Sequence, residues 1–238
     1  LILIGKAVLE ITVEFLNLRH LSPRLPSEFE GFFDPEKYKK SQVYLRENTR
    51  LGLIEELIFT PLTIVFILLG GFNLIDHFAR GFNLALIPTG LIFAGALLTV
   101  FFLLQLPFSV YRTFVIEERY GFNRTTPRTF IIDLVKSILL AVILGGGVFA
   151  LVLWFFQKTG SFAWLYCWLA VEVFQLFLLF IAPVTILPLF NKFIPLEEGE
   201  LREAIEAYAA GQTFRLQGIY KMDGSRRSSK SNAFFTGF

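Results

Sequence analysis

Histidine is the side chain used most often as a zinc ligand and as a general base, and this chain has two, His20 and His77. Neither lies in an HExxH motif, in which two histidines one helical turn apart bind zinc and the glutamate serves as general base. Both flank apolar stretches, so we interpret them as interfacial side chains. Cys167 lies inside an apolar run and is interpreted as a small apolar filler, and the sequence has no GxSxG or Walker-type motif. The residues alone therefore complete no catalytic site and no metal site.

Polar side chains within apolar stretches are the other candidates for chemistry, because they are costly in a membrane. Glu172 and Gln175 are three residues apart and share a helix face, Gln105 precedes Pro107, and Asp133 and Lys136 lie at the start of another apolar stretch. The functional interpretation is a hydrated interior cavity. The alternative is hydrogen bonding between helices, or charged head groups that reach the interface.

The elements that must position these residues are membrane helices. The chain is 54% hydrophobic with 29 Phe and has a mean hydropathy of +0.59, which is too apolar for a soluble domain. About 20 apolar residues cross the hydrocarbon core, and five stretches qualify or nearly do. They are residues 1–18, which are interrupted by three charges, and residues 57–75, 84–110, 134–156 and 162–187.

The loops between these stretches alternate in basic charge. In chain order the four loops and the C-terminal region contain 7, 1, 5, 1 and 7 Lys and Arg residues, with Lys136 counted in the third loop. Because Lys and Arg accumulate on the cytoplasmic side, we place the first loop, the third loop and the C-terminal region in the cytoplasm and the N-terminus outside. The net charge of +2 is not gathered in a basic stripe, so nothing indicates nucleic acid as a partner.

Local signals predict structure in the cytoplasmic segments. Asp34-Pro35 and Thr126-Pro127 each pair an N-cap with proline at the first helical position. Residues 197–210 place apolar residues on one face and end at a glycine, which predicts a surface helix. Residues 216–222 are predicted to form a short strand, and residues 233–238 the start of another.

Three motifs identify a family. They are FVIEERYGFN (residues 114–123) followed by Thr126-Pro127, LPLFNKFIPLEEGELREAIEAYA (187–209), and MDGSRRSSKSNAFFTGF (222–238). DPEKYKKSQVY (34–44) adds a fourth match. In order and spacing, the whole chain resembles the integral-membrane CAAX prenyl endopeptidases, the type I zinc metalloproteases. Without this resemblance, the EERYGFN segment is interpreted as an ordinary solvated loop with a glycine turn.

The resemblance implies a mainly α fold, a multi-span transmembrane helical bundle with about five spans here and seven in the family, around a water-filled chamber. It is followed by the start of an α+β zinc-protease domain. We expect residues 1–190 to form the transmembrane domain and residues 191–238 to begin the cytoplasmic metalloprotease domain. In the family an HExxH follows the SNAFFTGF strand, and its two histidines and a later glutamate hold zinc, which polarises the scissile carbonyl and activates water. The chain stops before those ligands, so we expect a fragment with no catalytic or metal residue of its own, inactive alone and binding no zinc.

The substrate implied by the resemblance is a prenylated C-terminal CaaX peptide, or a related membrane-associated peptide, cut after the lipid-bearing cysteine. The residues expected to bind it are Asn232, Ala233 and Phe234, because an extended peptide commonly adds a strand to a sheet edge. Family members often have histidine where this chain has Lys230, which leaves that side chain without an assigned role. The location implied is the cytoplasmic membrane of a bacterium or the endoplasmic reticulum membrane of a eukaryote. The alternative function is a non-enzymatic multispan scaffold or quality-control protein.

Overall fold

The computed structural model of the chain describes residues 1–235. These residues form α-helices joined by short connections, together with one two-stranded sheet. In chain order the elements are α1 (Ile2–His20), α2 (Pro35–Leu68), α3 (Gly71–Arg80), α4 (Leu86–Tyr111), α5 (Pro127–Leu140), α6 (Gly146–Lys158), α7 (Ala163–Ile181), α8 (Leu187–Phe190), β1 (Phe193–Pro195), α9 (Glu200–Gly211) and β2 (Tyr220–Met222). The chain divides into two compact units, Leu1–Asn123 and Arg124–Phe238.

Four helical segments of the described chain are long and apolar enough to cross a membrane. They are Pro35–Leu68, Leu86–Glu117, Pro127–Lys158 and Gly160–Phe190, with mean hydropathies of 2.0 to 2.7. Three of them include a π-helical turn, at Arg112–Glu117, Ala141–Gly145 and Ala182–Ile186. The prediction of a mainly helical, multi-span membrane protein is confirmed. Helix α1, for which the sequence left open a truncated span or the inner part of a bundle, is a helix of 19 residues outside this set.

In the first unit, α2 begins as the sequence predicts and ends earlier. The Asp34 carboxylate accepts hydrogen bonds from the backbone N–H groups of Glu36 (2.9 Å) and Lys37 (3.3 Å). The predicted span 57–75 is interrupted, because Gly70 has a φ of +72° and starts a separate helix, α3. A Cβ atom on the next residue, Gly71, would lie 2.2 Å from the Phe66 ring. Glycine is therefore needed twice at this turn, once for its conformation and once for its size.

The most buried part of the first unit joins α2 to the end of α4. Leu51, Ile116 and Tyr120 are buried against one another, and Tyr44 and Phe122 pack around them. The ring of Tyr44 makes edge contacts with the rings of Tyr120 and Phe122, each at a centroid distance of 5.1 Å. These contacts hold the N-terminal half of α2 against the segment that follows α4, outside the most apolar part of both helices.

In the second unit, α5 begins at the predicted cap, where the Thr126 hydroxyl accepts from the backbone N–H of Thr129 at 3.1 Å. Helix α5 continues through its π-helical turn into α6, which packs against α7. Cys167 is buried in α7, and its thiol contacts the Val152 carbonyl at 3.6 Å. Its predicted role as an apolar filler agrees with this position.

After the last span, β1 and β2 form an antiparallel pair in which Phe193 lies opposite Met222 and Pro195 opposite Tyr220. Helix α9 lies between the two strands in sequence, at the position predicted for the surface helix. The strand predicted over 216–222 is shorter than expected. Residues 233–235 of the strand predicted over 233–238 are not in a strand, and residues 236–238 lie outside the described chain. A strand needs a hydrogen-bonded neighbour, and the described residues supply none there.

Candidate functional site

The best-defined polar site of the second unit surrounds Arg227. Its guanidinium donates to both carboxylate oxygens of Asp133, from Nε at 2.6 Å and from Nη2 at 2.9 Å, and donates from Nη1 to Oδ1 of Asn191 at 2.9 Å. The pairing with Asp133 is the bidentate geometry that makes Arg–carboxylate contacts strong and directional. The hydrogen bond to Asp133 raises the pKa of Arg227 above its already high ordinary value, so the guanidinium is charged at any physiological pH.

The backbone of Arg227 is held as well as its side chain. Its carbonyl oxygen accepts from the backbone N–H of Arg124 at 3.0 Å and from the hydroxyl of Thr125 at 3.1 Å. Arg227 thus joins three segments of the second unit: the approach to α5, the second turn of α5, and the segment after α8. We call Arg227, Asp133 and Asn191 the arginine clamp.

A second tie lies next to the clamp and fixes the turn that precedes it. The Asp223 carboxylate accepts from the backbone N–H of Lys192 at 2.7 Å, and the Asp223 N–H donates to the Lys192 carbonyl at 3.0 Å. The adjacent Arg226 is 58% exposed and lies 3.7 Å from the Asp223 carboxylate. The two neighbouring arginines therefore differ: Arg227 is enclosed and bidentate, and Arg226 is largely in solvent.

The segment predicted to bind substrate follows the clamp immediately. Residues 229–235 are exposed. Asn232 folds back so that its Oδ1 accepts from the N–H of Ala233 at 2.9 Å, and the Phe235 ring contacts the Phe214 ring edge-on at a centroid distance of 5.7 Å. The side chain of Phe234 is 54% exposed. The structure thus places all three predicted substrate-binding residues on one accessible segment, a few residues from a fixed point.

A separate polar cluster lies among the helices of the first unit. Arg112 donates from Nη2 to Oε1 of Glu55 at 2.7 Å, and Gln105 donates from Nε2 to Oε2 of the same carboxylate at 3.4 Å. The side chain of Glu55 is 14% exposed, whereas that of Arg112 is 43% exposed. Lys6 on α1 reaches Glu56 at 4.0 Å.

Apart from Arg112, these side chains line an open cavity of about 400 Å³ within the first unit. Its polar lining residues are Lys6, Glu55, Glu56, Thr60, Thr63 and Gln105. Charged and amide groups at this density among apolar helices are costly to place in hydrocarbon and are typical of hydrated interior surfaces. The sequence left two interpretations of Gln105 open, an interior cavity or a hydrogen bond between helices. In the structure Gln105 on α4 donates to Glu55 on α2 and also lines the cavity.

The other polar residues within spans differ in their surroundings. Lys136 donates to the Leu189 carbonyl at 2.6 Å and lies over the Phe190 ring at 5.7 Å. Asp133, predicted only as a polar residue near a span, is the clamp carboxylate. Glu172 is half-buried and Gln175 exposed on α7. The structure therefore brings Asp133 and Lys136 to the segment that follows α7, whereas Glu172 lies on α7 itself.

The FVIEERYGFN segment is more ordered than the loop that its residues alone indicated. Glu117 accepts a hydrogen bond from the Tyr44 hydroxyl, and Arg119 pairs with Glu47 at 2.8 Å. Burial raises the pKa of the Tyr120 hydroxyl, with the nearby Glu47 charge acting in the same direction. The solvated-loop interpretation of residues 117–123 is wrong for Glu117, Tyr120 and Phe122, which contact Tyr44 of α2. Glu118 and Arg119 are exposed, and Gly121 has the positive φ of the predicted glycine turn.

The histidines lie apart from all of these clusters. His20 ends α1, where its Nδ1 donates to the Leu16 carbonyl at 2.8 Å, and His77 is exposed on α3. Among residues 1–235, no group of three or more His, Cys, Asp or Glu side chains has the arrangement of a metal site.

Sequence reasoning missed Glu55, Arg112 and Arg227 as site residues. The first two carried a usable signal, since each is a charge at the margin of a membrane-length apolar stretch. Arg227 carried none, because the sequence offers no basis for choosing between it and Arg226.

Comparison with known proteins connects these features to a family. A family profile described as the CAAX prenyl protease N-terminal region, with five membrane helices, matches residues 14–192. The chain is 35% identical to the Arabidopsis thaliana CAAX prenyl protease 1 homolog over 97% of its own length and 57% of the relative's. It is 38% identical to the Saccharomyces cerevisiae CAAX prenyl protease 1 over 90% of its length and 49% of the relative's.

The crystal structure of S. mikatae Ste24p matches with a TM-score of 0.90 at 36% identity, covering 99% of this chain and 56% of that one. The chain thus spans about half the length of the relatives that it matches. This protein belongs to the CAAX prenyl protease family.

Proposed function

We propose that this chain is the membrane-embedded N-terminal part of a zinc metalloendopeptidase that cleaves C-terminal CaaX peptides from prenylated proteins or related membrane substrates. The observation that carries the proposal is similarity to proteins named CAAX prenyl protease 1 at 35–38% identity over 90% or more of the chain. Under this proposal residues 1–190 form the transmembrane domain, and residues 191–238 begin the protease domain on the cytoplasmic side.

The residues present do not fit a zinc ion. His20 is engaged with the Leu16 carbonyl at the end of α1, and the described chain has no cluster of three ligating side chains. The zinc ligands are therefore proposed to come from sequence beyond Phe238. Under this proposal, this chain contributes the transmembrane domain and the segment that binds the substrate peptide.

Substrate binding is proposed for Asn232, Ala233 and Phe234. These residues are exposed and lie in no strand among residues 1–235, so their backbone is accessible to a peptide that binds by adding a strand. The Ala233 side chain is small enough for close backbone approach. The cavity of the first unit, lined by Lys6, Glu55, Glu56 and Gln105, supports the proposal as a polar surface among membrane helices.

The proposal is tested first by reading the gene beyond Phe238, where an HExxH shortly downstream is expected. The full-length product, purified in detergent, is then assayed with a farnesylated CaaX peptide in the presence and absence of a zinc chelator. Chelator-sensitive cleavage after the prenylated cysteine supports the proposal. An open reading frame without HExxH, or a folded full-length protein that leaves the peptide intact, contradicts it and favours the scaffold alternative.

The substrate segment is tested in the same full-length protein by Ala233→Pro, which removes a backbone donor and crowds the segment. We expect turnover to fall while zinc content and thermal stability persist. The control is Ser225→Ala, in the exposed turn that precedes the segment. A proline at Lys221 would not serve, because Lys221 lies within β2. Full activity in the Ala233→Pro variant means that the peptide pairs elsewhere.

A further inference from the structure

The arginine clamp differs from many ion pairs of the described chain in what it connects. Several of those pairs join residues one helical turn apart, such as Lys6 with Glu10 and Arg202 with Glu206. Arg227 instead contacts residues 94 and 36 positions away in sequence, Asp133 and Asn191. One side chain therefore fastens the start of the exposed segment to a membrane-length helix.

The charged side chains of the clamp are largely shielded from water. The side chains of Arg227 and Asp133 are 26% and 21% exposed, so both have lost most of their contact with water. All the nitrogen atoms of the guanidinium are engaged, and the Arg227 carbonyl accepts two more hydrogen bonds. A lysine at this position has one charged nitrogen and no planar fork, so it cannot reproduce this pattern.

The position of Arg227 in the sequence gives the clamp a second role besides stabilising the fold. Arg227 is five residues before Asn232, and five residues of extended chain span at most about 18 Å. Under the proposed function, a substrate peptide that adds to residues 232–234 needs that segment at a fixed distance from the membrane helices, so that the peptide is held in one place relative to the membrane. Misplacement by about 1 Å at a reacting centre is enough to slow catalysis strongly.

We propose that Arg227, held by Asp133 and Asn191, is a positioning residue that sets the location of the exposed segment 229–235, which contains the proposed substrate-binding residues, relative to α5. The inference rests on the proposed function for its purpose, whereas the mechanical claim concerns this chain alone. In this role Arg227 touches no reacting atom. It acts by limiting where Asn232 and Ala233 lie.

The test measures that location directly, by pulsed electron spin resonance between two spin labels in the second unit. Labels are attached at Arg128→Cys, exposed on the first turn of α5, and Ser231→Cys, exposed within the segment. Cys167, the single native cysteine, is replaced by alanine. The distance distribution is recorded with Arg227 intact, and then in Arg227→Lys, in Asp133→Asn and in the double variant.

With the clamp intact we expect one narrow distance population. Loss of a charge-assisted hydrogen bond lowers the ratio of the anchored to the displaced population by about tenfold or more. Because Asp133 and Arg227 act as one unit, the double variant should be no worse than the more affected single variant. The matched control is Arg226→Lys, which changes the neighbouring, exposed arginine and should leave the distribution unchanged.

Three results would overturn the inference. They are an unchanged distribution in Arg227→Lys and Asp133→Asn, equal broadening in the Arg226→Lys control, and additive effects in the double variant. Thermal unfolding of each variant in the same detergent shows that the labelled chains are folded.

A second measurement connects position to catalysis in the full-length protein. Arg227→Lys is expected to lower kcat/KM for a farnesylated CaaX peptide while the zinc content stays the same, and Arg226→Lys is expected to match the unsubstituted enzyme. The spin-label result does not depend on protease activity. Failure of the clamp and failure of the proposed function are therefore distinguishable.

Discussion

The ion pair between Glu55 and Arg112 is expected to respond unequally to removal of its two partners. Arg112→Ala leaves the Glu55 carboxylate, whose side chain is 14% exposed, without its cation. Glu55→Ala leaves Arg112, which is 43% exposed and can turn toward water. The first substitution should therefore cost more than the second, although both break the same 2.7 Å contact.

The size of the difference follows from the two exposures. Removing one partner of a buried pair costs about 3–5 kcal/mol, whereas an exposed pair contributes about 0.2–1 kcal/mol. Glu55 is close to the first case and keeps one weak hydrogen bond from Gln105 at 3.4 Å, so we expect about 2–3 kcal/mol for Arg112→Ala. For Glu55→Ala we expect about 1 kcal/mol.

Thermal unfolding in detergent measures the difference. For a unit of this size 1 kcal/mol corresponds to about 4 °C, so Tm should fall by about 8–12 °C for Arg112→Ala and by about 4 °C for Glu55→Ala. The Glu55→Ala, Arg112→Ala double variant removes both charges and should be more stable than Arg112→Ala alone. Arg80→Ala is the control, because its pair with Asp76 lies on one helix with side chains 62% and 38% exposed.

The reasoning is refuted if Glu55→Ala lowers Tm as much as Arg112→Ala or more. It is also refuted if the double variant loses the sum of the two single effects, since the pair would then not be coupled.

Three further predictions concern orientation, capping and the glycine turn. Cysteines at Ser41 and Ser225 should be shielded from an impermeant reagent in intact cells and one at Ser161 should react, and the opposite pattern reverses the orientation taken from the basic loops. Asp34→Ala should lower the free energy of unfolding by about 0.5–2 kcal/mol, and Asp34→Asn, which keeps an oxygen that can accept the same hydrogen bonds, by much less. Equal Tm values for the two variants would show that the cap does not contribute. Gly71→Ala should lower the free energy of unfolding by about 1–3 kcal/mol, because its Cβ would overlap the Phe66 ring. The control Gly95→Ala has open space around its Cβ and should leave stability unchanged. If Gly71→Ala also leaves it unchanged, the Phe66 ring moves away freely.

Local signals predicted where α2 and α5 begin, but they did not predict the interruption at Gly70. The caps at Asp34 and Thr126 each need only neighbouring residues, so the sequence contains the whole cause. The turn at Gly70 was hidden because hydropathy averaged over a membrane-length window stays high across it. The packing of Gly71 against Phe66 then fixes the turn, and that contact is visible only in three dimensions.

The candidate site likewise has one part that the sequence predicted and one part that it did not. Asn232, Ala233 and Phe234 were predicted as substrate-binding residues from the family motif, and that role stays a prediction; the structure shows that the three residues are exposed. The clamp depends on contacts between residues far apart in sequence, and no spacing rule selects Asp133 as the partner of Arg227. The pairing of β1 with β2 across α9 has the same origin, since it joins residues that only the fold brings together.

Helix α2 has a further consequence because of its length. At 34 residues and about 1.5 Å per residue it is about 50 Å long, whereas the hydrocarbon core is about 30 Å thick. An upright α2 therefore extends about 20 Å beyond the lipid. Tyr44 and Glu47, which contact Glu117 and Arg119, lie in its N-terminal half. The N-terminal part of α2 therefore carries Tyr44 and Glu47 beyond the hydrocarbon core, where their contacts with Glu117 and Arg119 brace the projecting part of the helix within the first unit.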